Sequence, residues 1–200
     1  MTNLLFTNPV VFVLLAVIFI LSISVHEFAH AYTADKLGDP TAKYAGRLTL
    51  NPLAHLDLIG TLLILLIRVG WGKPVPINSA NFKNPRRDSA LVAFAGPLSN
   101  ILLAVIFSLI VRSVHLSQAV DTFLYVLSAY NIGLALFNLL PVFPLDGFNV
   151  LYGVLPIKLA WQWQETRRYG IFILLFLIVT GFATNLILPL VDFLLRILGF

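Results

Sequence analysis

The stretch that decides the fold of this chain is Val25-His26-Glu27-Phe28-Ala29-His30. It lies deep in an apolar run from Pro9 to about Ala34, and roughly 25 apolar residues are enough to cross a membrane as a helix. Side chains four residues apart in a helix lie one turn above the other on the same face. His26 and His30 can therefore reach a single metal ion from this first membrane helix.

The residue after the first histidine adds a proton acceptor to the pair. Glu27 is placed where a carboxylate can take a proton from metal-activated water, which completes the HExxH arrangement of zinc hydrolases. The alternative is a purely structural group in which a buried histidine and glutamate bond each other. Three ionisable side chains in a membrane span are costly without a function, which favours a metal site.

Composition indicates a membrane protein. Of the 200 residues, 59% are hydrophobic and only 11% are charged, whereas about a quarter of the residues in a soluble domain are charged. We therefore expect an integral protein whose surroundings are the lipid bilayer. There is no cysteine, so His, Asp and Glu are the available metal ligands. The net charge of +4 is spread over loops between apolar spans, which argues against nucleic-acid binding.

The apolar blocks predict an all-α polytopic protein with about five or six transmembrane helices, in one membrane-embedded domain over residues 1–200. The first span, Pro9 to about Ala34, lacks a basic start and a cleavage signal, so we expect it to be retained. Full spans are predicted at Ser89–Val111 and from Thr122 to about Val142. The tail from Tyr169 to Phe200 crosses either twice or once, with an interfacial helix in the second case.

The more polar segment between the first two spans contains two candidate strands. Lys43–Leu50 alternates small or polar with apolar residues, and Lys73–Asn78 has a proline at every second position, which is typical of an edge strand. We therefore predict a small membrane-associated β-sheet. Between them, Leu58–Val69 is apolar but, at about 12 residues, too short to cross the hydrocarbon layer. It predicts a re-entrant or interfacial helix.

The distribution of basic residues predicts the orientation of the chain. If the first span runs toward the cytoplasm and Leu58–Val69 does not cross, most lysines and arginines are cytoplasmic and Arg112 is outside, as the positive-inside rule requires. The two histidines and Asp146 then lie at comparable depth, toward the cytoplasmic ends of their helices. The active site is therefore predicted to face the cytoplasmic side.

A third metal ligand has to come from a later part of the chain. Hydrolytic zinc sites usually have three protein ligands and an open position for water. Asp146 follows two helix-breaking prolines and precedes a glycine, where irregular backbone lets a carboxylate point into a cavity. A helix cap or turn is the alternative role for Asp146. We predict that it joins His26 and His30 around one zinc ion.

His55 has two possible roles. It precedes Asp57 by two residues at the start of the short apolar segment, so it could bond that carboxylate, with Asn51 as a helix N-cap. Alternatively, His55 reaches the active site as a resting-state ligand or as a hydrogen-bond donor to the developing oxyanion. We include His55 among the candidate catalytic residues.

Three motifs, taken together, resemble the core signatures of one known family. Their order and separation are similar to those of the site-2 protease family of intramembrane zinc metalloproteases, and the resemblance covers about residues 10–150. The motifs are His26-Glu27-x-x-His30, Ala95-Gly96-Pro97-Leu98-Ser99-Asn100 and Asn138-Leu139-Leu140-Pro141-x-x-Pro144-Leu145-Asp146-Gly147.

The resemblance implies a mechanism and a substrate class. It implies one Zn²⁺ ion held by His26, His30 and Asp146, Glu27 as general base and acid, and Asn138 as a residue that positions the substrate or the oxyanion. It further implies a small bacterial-type member without PDZ or CBS domains, located in the cell membrane as a multi-pass protein. Its substrate would be a transmembrane protein, cleaved within or near its span in regulated intramembrane proteolysis.

Two other classes of function are compatible with the same residues. A membrane transporter for metal or other ions could place the histidines and the aspartate along an ion path, and a non-catalytic scaffold could share the fold. A transporter would have little need for Glu27, and a scaffold would tolerate the loss of a ligand. The complete set favours a protease, and the sequence indicates no particular oligomeric state.

Overall fold

The computed structural model describes residues 8–57, 60 and 72–200, and the regular secondary structure of this part of the chain is helical. Three helices in this part of the chain are long and apolar enough to cross a membrane, namely Pro9–Lys36, Pro85–Ser113 and Gln118–Asn138. Single 3-10 turns connect some of the helices, at Pro52–Ala54, Ser79–Asn81 and Thr166–Tyr169. In chain order the helices are α1 (Pro9–Lys36), α2 (Thr41–Tyr44), α3 (Pro85–Ser113), α4 (Gln118–Asn138), α5 (Asp146–Val154), α6 (Ile157–Glu165), α7 (Gly170–Val179) and α8 (Phe182–Leu198).

Local sequence explains where the long helices begin and end. Both α1 and α3 start with a proline, Pro9 and Pro85, whose fixed φ suits the first helical position. At the start of α3 the Asp88 carboxylate accepts a hydrogen bond from the backbone N–H of Asn84 at 2.9 Å, as in a capping box. Soon after α1 ends, Gly38 adopts φ +106°, which turns the chain out of the helical direction.

Helix α3 is the central element of the fold. It packs against α1 on one side and against α4 on the other. Helix α5 also lies close to α3, because a Cβ added at Gly153 would be only 2.2 Å from Cβ of Ala90. The first residue of α5, Asp146, lies beside His26 of α1. The buried apolar residues between α3, α4 and α8 are Ala104, Ile132, Ile187, Val191 and Leu195.

The predicted number of transmembrane helices is wrong for the described residues. Three helices can cross a membrane, or up to four spans exist if the bent pair that ends in α8 is one span. The tail breaks at Gly181, which has φ +70°, and the chain bends there by 69°. Helix α7 has 10 residues and α8 has 17, fewer than the roughly 20 that a span requires. The predicted short helix at Leu58–Val69 lies outside the described residues.

The predicted β-sheet is also wrong, and the first candidate strand shows one reason. Within the described residues Lys43–Leu50 forms no strand. Its beginning belongs to the helical turn α2, and Gly46 then adopts φ +69°, which ends the turn. Alternation of polar and apolar residues is therefore compatible here with a helical turn followed by irregular backbone.

The second candidate strand, Lys73–Asn78, is extended but has no neighbouring strand in the part of the chain that the structure describes. Its backbone groups bond to loops and to a side chain instead. The N–H of Lys73 donates to the His55 carbonyl at 2.9 Å, and the N–H of Asn78 donates to Oδ2 of Asp39 at 2.7 Å. The prolines favour an extended conformation, but a strand also needs a hydrogen-bonded partner.

A buried carboxylate attaches this extended segment to the end of α1. Asp39 is fully buried, and its Oδ1 accepts from the N–H of Thr41 at 3.1 Å and from the side-chain amide of Asn81 at 2.7 Å. Burial acts to raise the pKa of Asp39, but these hydrogen bonds and those from the Thr41 hydroxyl and the Asn78 N–H outweigh it. The net effect is a pKa below the ordinary value.

Asp39 is expected to make stability depend on pH in the acid range. Because its pKa is lower in the folded chain, the stabilisation is complete above the unfolded pKa of about 4 and is lost as the pH falls through the folded pKa. Asp39→Asn should therefore lower Tm near neutral pH, and its difference from the native protein should shrink below about pH 4. Thermal unfolding in detergent measures both proteins.

The control for this experiment is Asp192→Asn, which removes an exposed carboxylate from α8. The Tm of this variant should differ little from that of the native protein over the whole pH range. A Tm difference for Asp39→Asn that stays constant into the acid range would contradict the prediction.

Candidate metal centre

Three potential ligand atoms converge between α1 and the start of α5. Nε2 of His26 lies 3.0 Å from Nε2 of His30, and Oδ2 of Asp146 lies 3.1 Å from the first and 3.3 Å from the second. Both histidines are buried and the aspartate is partly buried. These atoms form an almost equilateral triangle that could hold one metal ion.

The geometry of this triangle fits zinc. Bonds of about 2.0–2.2 Å in a tetrahedral site separate the ligand atoms by roughly 3.3 Å, close to the distances seen here. Oδ2 of Asp146 is buried and has no hydrogen-bond donor among the described residues. The three electron-rich atoms would repel one another at this separation unless a positive charge lay between them. The site therefore suits a small divalent cation.

Hydrogen bonds from α3 fix the outer nitrogen of each imidazole ring. Nδ1 of His30 donates to the carbonyl oxygen of Val92 at 2.7 Å. Nδ1 of His26 lies 2.7 Å from Oδ1 of Asn100. Because both outer nitrogens face acceptors, each Nε2 keeps its lone pair for a metal.

A glycine in α3 makes room for the two rings. A Cβ added at Gly96 would lie 2.5 Å from Cε1 and Nε2 of His30 and 2.7 Å from Cε1 of His26. Real Cβ atoms essentially never approach other atoms so closely. Gly96 and Asn100, four residues apart in the same helix, therefore form the surface of α3 against which the histidines pack.

Asp146 is positioned by the close packing of α5 on the end of α4. It is the first residue of α5. A Cβ on the next residue, Gly147, would lie 2.2 Å from the carbonyl oxygen of Leu139 and 2.5 Å from that of Leu140. The glycine thus allows the helix to start directly against the last carbonyls of α4, which brings the carboxylate to the histidines.

Glu27 lies on α1 between the two histidines, outside the ligand triangle, and is partly buried. Its charge acts on His30 and on the guanidinium of Arg47, which is 4% exposed. Burial lowers the pKa of Arg47, and the opposite charge of Glu27 counteracts this shift. Arg47 also donates a hydrogen bond to the carbonyl oxygen of Lys73. A buried cation therefore lies in the electrostatic neighbourhood of the proposed base.

The other two candidate catalytic residues form local hydrogen bonds. His55 is fully buried, and its Nε2 lies 2.7 Å from the carbonyl oxygen of Thr49. Asn138, the last residue of α4, donates to the carbonyl oxygen of Leu134 at 2.9 Å, one turn earlier in the helix. The bond of His55 to Thr49 differs from the bond to Asp57, which was one of the two roles considered for His55. The catalytic roles of His55 and Asn138 stay predictions.

Several residues around the site had no predicted role. The carbonyl of Val92 gives no sequence signal, because any residue could supply it. Gly96 and Asn100 did give a signal, because both belong to the motif Ala95–Asn100 that resembles a core signature of the site-2 protease family. Arg47 could have been noted as a basic residue in a segment rich in small and apolar residues.

The chain is similar in sequence to several known proteins. Residues 111–181 match the family described as Peptidase family M50. The chain is 40% identical over 187 residues to "Putative zinc metalloprotease YwhC" of Bacillus subtilis, a match that covers 89% of this chain and 85% of that protein. It is 30% identical over 178 residues to "Putative zinc metalloprotease Rip2" of Mycolicibacterium smegmatis, covering 85% of this chain and 68% of the relative.

A more distant relative comes from an archaeon. The chain is 25% identical over 154 residues to "Zinc metalloprotease MJ0392" of Methanocaldococcus jannaschii, covering 77% of this chain and 38% of that protein. No solved structure gives a significant match. All three relatives carry the name of a zinc metalloprotease.

Proposed function

Since this chain belongs to peptidase family M50, the site-2 protease family, and is a zinc metalloprotease, we propose that it cleaves membrane proteins within or near their transmembrane segments. The depth of the ligands along α1 carries this proposal. At 1.5 Å per residue, His30 lies about 9 Å and His26 about 15 Å from the end of the helix at Lys36. With the end of α1 at the membrane surface, a transmembrane segment of a substrate lies at the depth of these ligands, whereas a soluble substrate would have to enter the membrane to reach them.

We assign the zinc ligands to Nε2 of His26, Nε2 of His30 and Oδ2 of Asp146. When bound, zinc activates a water molecule at neutral pH and polarises the carbonyl of the scissile peptide. The chain supplies the acid and base. A carboxylate oxygen of Glu27 accepts the proton of the attacking water and then donates it to the leaving amine nitrogen.

The substrate has to change conformation before it can be cleaved. A peptide bond in a membrane helix is shielded by the hydrogen bonds of that helix, so the substrate segment must unwind near the site. Spans that contain glycine, proline or polar residues should therefore be cleaved faster than uniformly apolar ones. We also propose Asn138 and His55 as hydrogen-bond donors to the substrate carbonyl oxygen. Each side chain would have to break its present hydrogen bond to a nearby backbone carbonyl in order to reach the substrate.

We further propose that the site faces the cytoplasm of a multi-pass membrane protein. Lys36 lies in the last turn of α1, and Arg86 and Arg87 lie in the first turn of α3 on the same side as the site. Arg112 lies at the opposite end of α3. This asymmetry supports the proposed orientation through the positive-inside rule. The transporter and scaffold alternatives gain no support from family M50.

The experiment is cleavage of a tagged single-span protein in lipid vesicles that contain the purified enzyme. We expect mass spectrometry to place the new termini within the apolar segment of the substrate. A zinc chelator should stop cleavage, and added Zn²⁺ should restore it, because the ligand set holds the metal that activates water.

The control substrate is an unfolded soluble protein with the same peptide sequence around the cut but without an apolar span. It should be cleaved far more slowly. Equal rates for both substrates, or termini found only in the soluble flanks, would contradict intramembrane cleavage while leaving the zinc metalloprotease assignment intact.

A further inference from the structure

Three buried polar side chains lie behind His26, on the side away from the ligand triangle, and the hydrolytic mechanism does not use them directly. They are Asn100 on α3, Asn131 on α4 and Ser22 on α1, with exposed fractions of 0%, 0% and 1%. Burying an amide or a hydroxyl in an apolar interior is unfavourable unless it is hydrogen-bonded. Their joint presence at one point where three membrane helices meet therefore needs a physical explanation.

The hydrogen bonds of these side chains form one continuous chain. Nδ2 of Asn131 donates to the carbonyl oxygen of Leu127 at 2.8 Å and to Oγ of Ser22 at 3.0 Å. Nδ2 of Asn100 donates to Oδ1 of Asn131 at 2.8 Å and to the carbonyl oxygen of Ser22 at 3.2 Å. Oδ1 of Asn100 then lies 2.7 Å from Nδ1 of His26.

This chain has only one possible direction. A backbone carbonyl can only accept, so the atom of Asn131 that faces Leu127 must be its NH₂ group. Its oxygen therefore faces Asn100, whose NH₂ group in turn must point toward that oxygen and the Ser22 carbonyl. The remaining atom of Asn100 is an acceptor, and the proton on the His26 side has to be on Nδ1.

We propose that Asn100, oriented by Asn131, is a positioning residue that keeps His26 in the Nδ1–H tautomer and so aims its Nε2 lone pair at zinc. This inference rests on the proposed zinc site. Outer hydrogen bonds of this kind orient metal-binding histidines and fix their tautomer. The ring of His30 is held by the backbone carbonyl of Val92. A side chain therefore fixes the tautomer of His26, whereas the backbone fixes that of His30.

Zinc affinity of the purified full-length chain, measured by competition with a chromophoric chelator, tests the proposal. Asn100→Leu should weaken zinc binding about 10–100-fold, the range typical for loss of an outer-shell partner. Asn131→Leu should weaken zinc binding by about 10-fold, the lower end of that range. Asn131 contacts no proposed ligand, and its hydrogen bond to Asn100 connects it to the ring of His26.

The matched control is Ser128→Ala. Ser128 is fully buried on the same helix as Asn131, and its hydroxyl has no hydrogen-bond partner among the described residues. Its replacement should leave zinc affinity unchanged. Native zinc affinity in a folded Asn131→Leu protein would overturn the proposal.

A second measurement needs no variant. In metal-free native protein with ¹⁵N-labelled histidine, the neutral form of the His26 ring should carry its proton on Nδ1. A spectrum with the proton on Nε2 would overturn the proposal even if both leucine variants fail to fold. Zinc is absent from this measurement, so its result does not depend on the proposed zinc site. The zinc site is tested separately, because it would be contradicted if His26→Ala left zinc binding unchanged.

Discussion

Glu27→Gln should abolish peptide hydrolysis while the protein stays folded and binds zinc. The amide has nearly the same size as the carboxylate but cannot accept a proton, and Glu27 is not part of the triangle formed by His26, His30 and Asp146. Loss of a general acid–base group typically lowers the rate by about 10²–10⁴-fold. The measurements are the cleavage rate of a single-span substrate in micelles and the zinc content of the same sample.

Glu165→Gln is the matched control, because it makes the same chemical change at an exposed position. Glu165 lies at the end of α6, 3.9 Å from Arg168, in an exposed ion pair. We expect native activity and native zinc content for this variant. Near-native cleavage by Glu27→Gln would contradict the assigned role, and loss of zinc from it would indicate that Glu27 is a ligand.

Gly96→Ala should disrupt the metal centre through a single added methyl group. The new Cβ would lie 2.5 Å from ring atoms of His30. The ring cannot move away without breaking its hydrogen bond to Val92, and the neighbouring His26 ring is held by Asn100. A displacement of about 1 Å at a catalytic centre can lower activity by about 10²-fold. We expect zinc affinity and kcat/KM to fall together.

Gly133→Ala provides the control for the added methyl group. Gly133 lies in α4, another membrane-crossing helix, and its Cβ would meet only Cγ2 of Val191 at the ordinary distance of 3.9 Å. This variant should keep native zinc affinity and activity. If Gly96→Ala bound zinc as tightly as the native chain, the close packing of α3 on the histidines would not matter for the metal.

The long helices could be predicted because their signal is local. A membrane span needs a certain length of apolar residues, and the segments starting at Pro9, Ser89 and Thr122 have it. The observed helices α1, α3 and α4 differ from these predicted segments by only a few residues at their ends. The tail was harder, because one left-handed glycine, Gly181, divides a continuous apolar stretch into two short helices.

The strand predictions failed because strands depend on partners that are distant in sequence. The alternation in Lys73–Asn78 describes an extended backbone, but the groups that bond it come from His55, Arg47 and Asp39. No local pattern could reveal whether a second strand was available. Lys43–Leu50 failed for a different reason, because its alternating polar and apolar residues begin as a helical turn that Gly46 ends.

The meeting of the histidines with Asp146 followed from orientation and helix length, and the family signatures pointed to the same three residues. The polar chain behind His26 could not be predicted. Its members Ser22, Asn100 and Asn131 come from three helices and have no fixed spacing in sequence. Only the three-dimensional packing shows that they share one set of hydrogen bonds.

The distribution of the proposed ligands along the chain has a consequence for biosynthesis. Asp146 is translated about 116 residues after His30. At roughly 5–20 residues per second, the ribosome needs about 6–23 seconds to cover that distance. During this interval the first helix is already available for insertion, but its histidines lack their third ligand. Because the proposed zinc site needs all three ligands, we expect a nascent chain to lack peptidase activity until α5 has been synthesised and has docked.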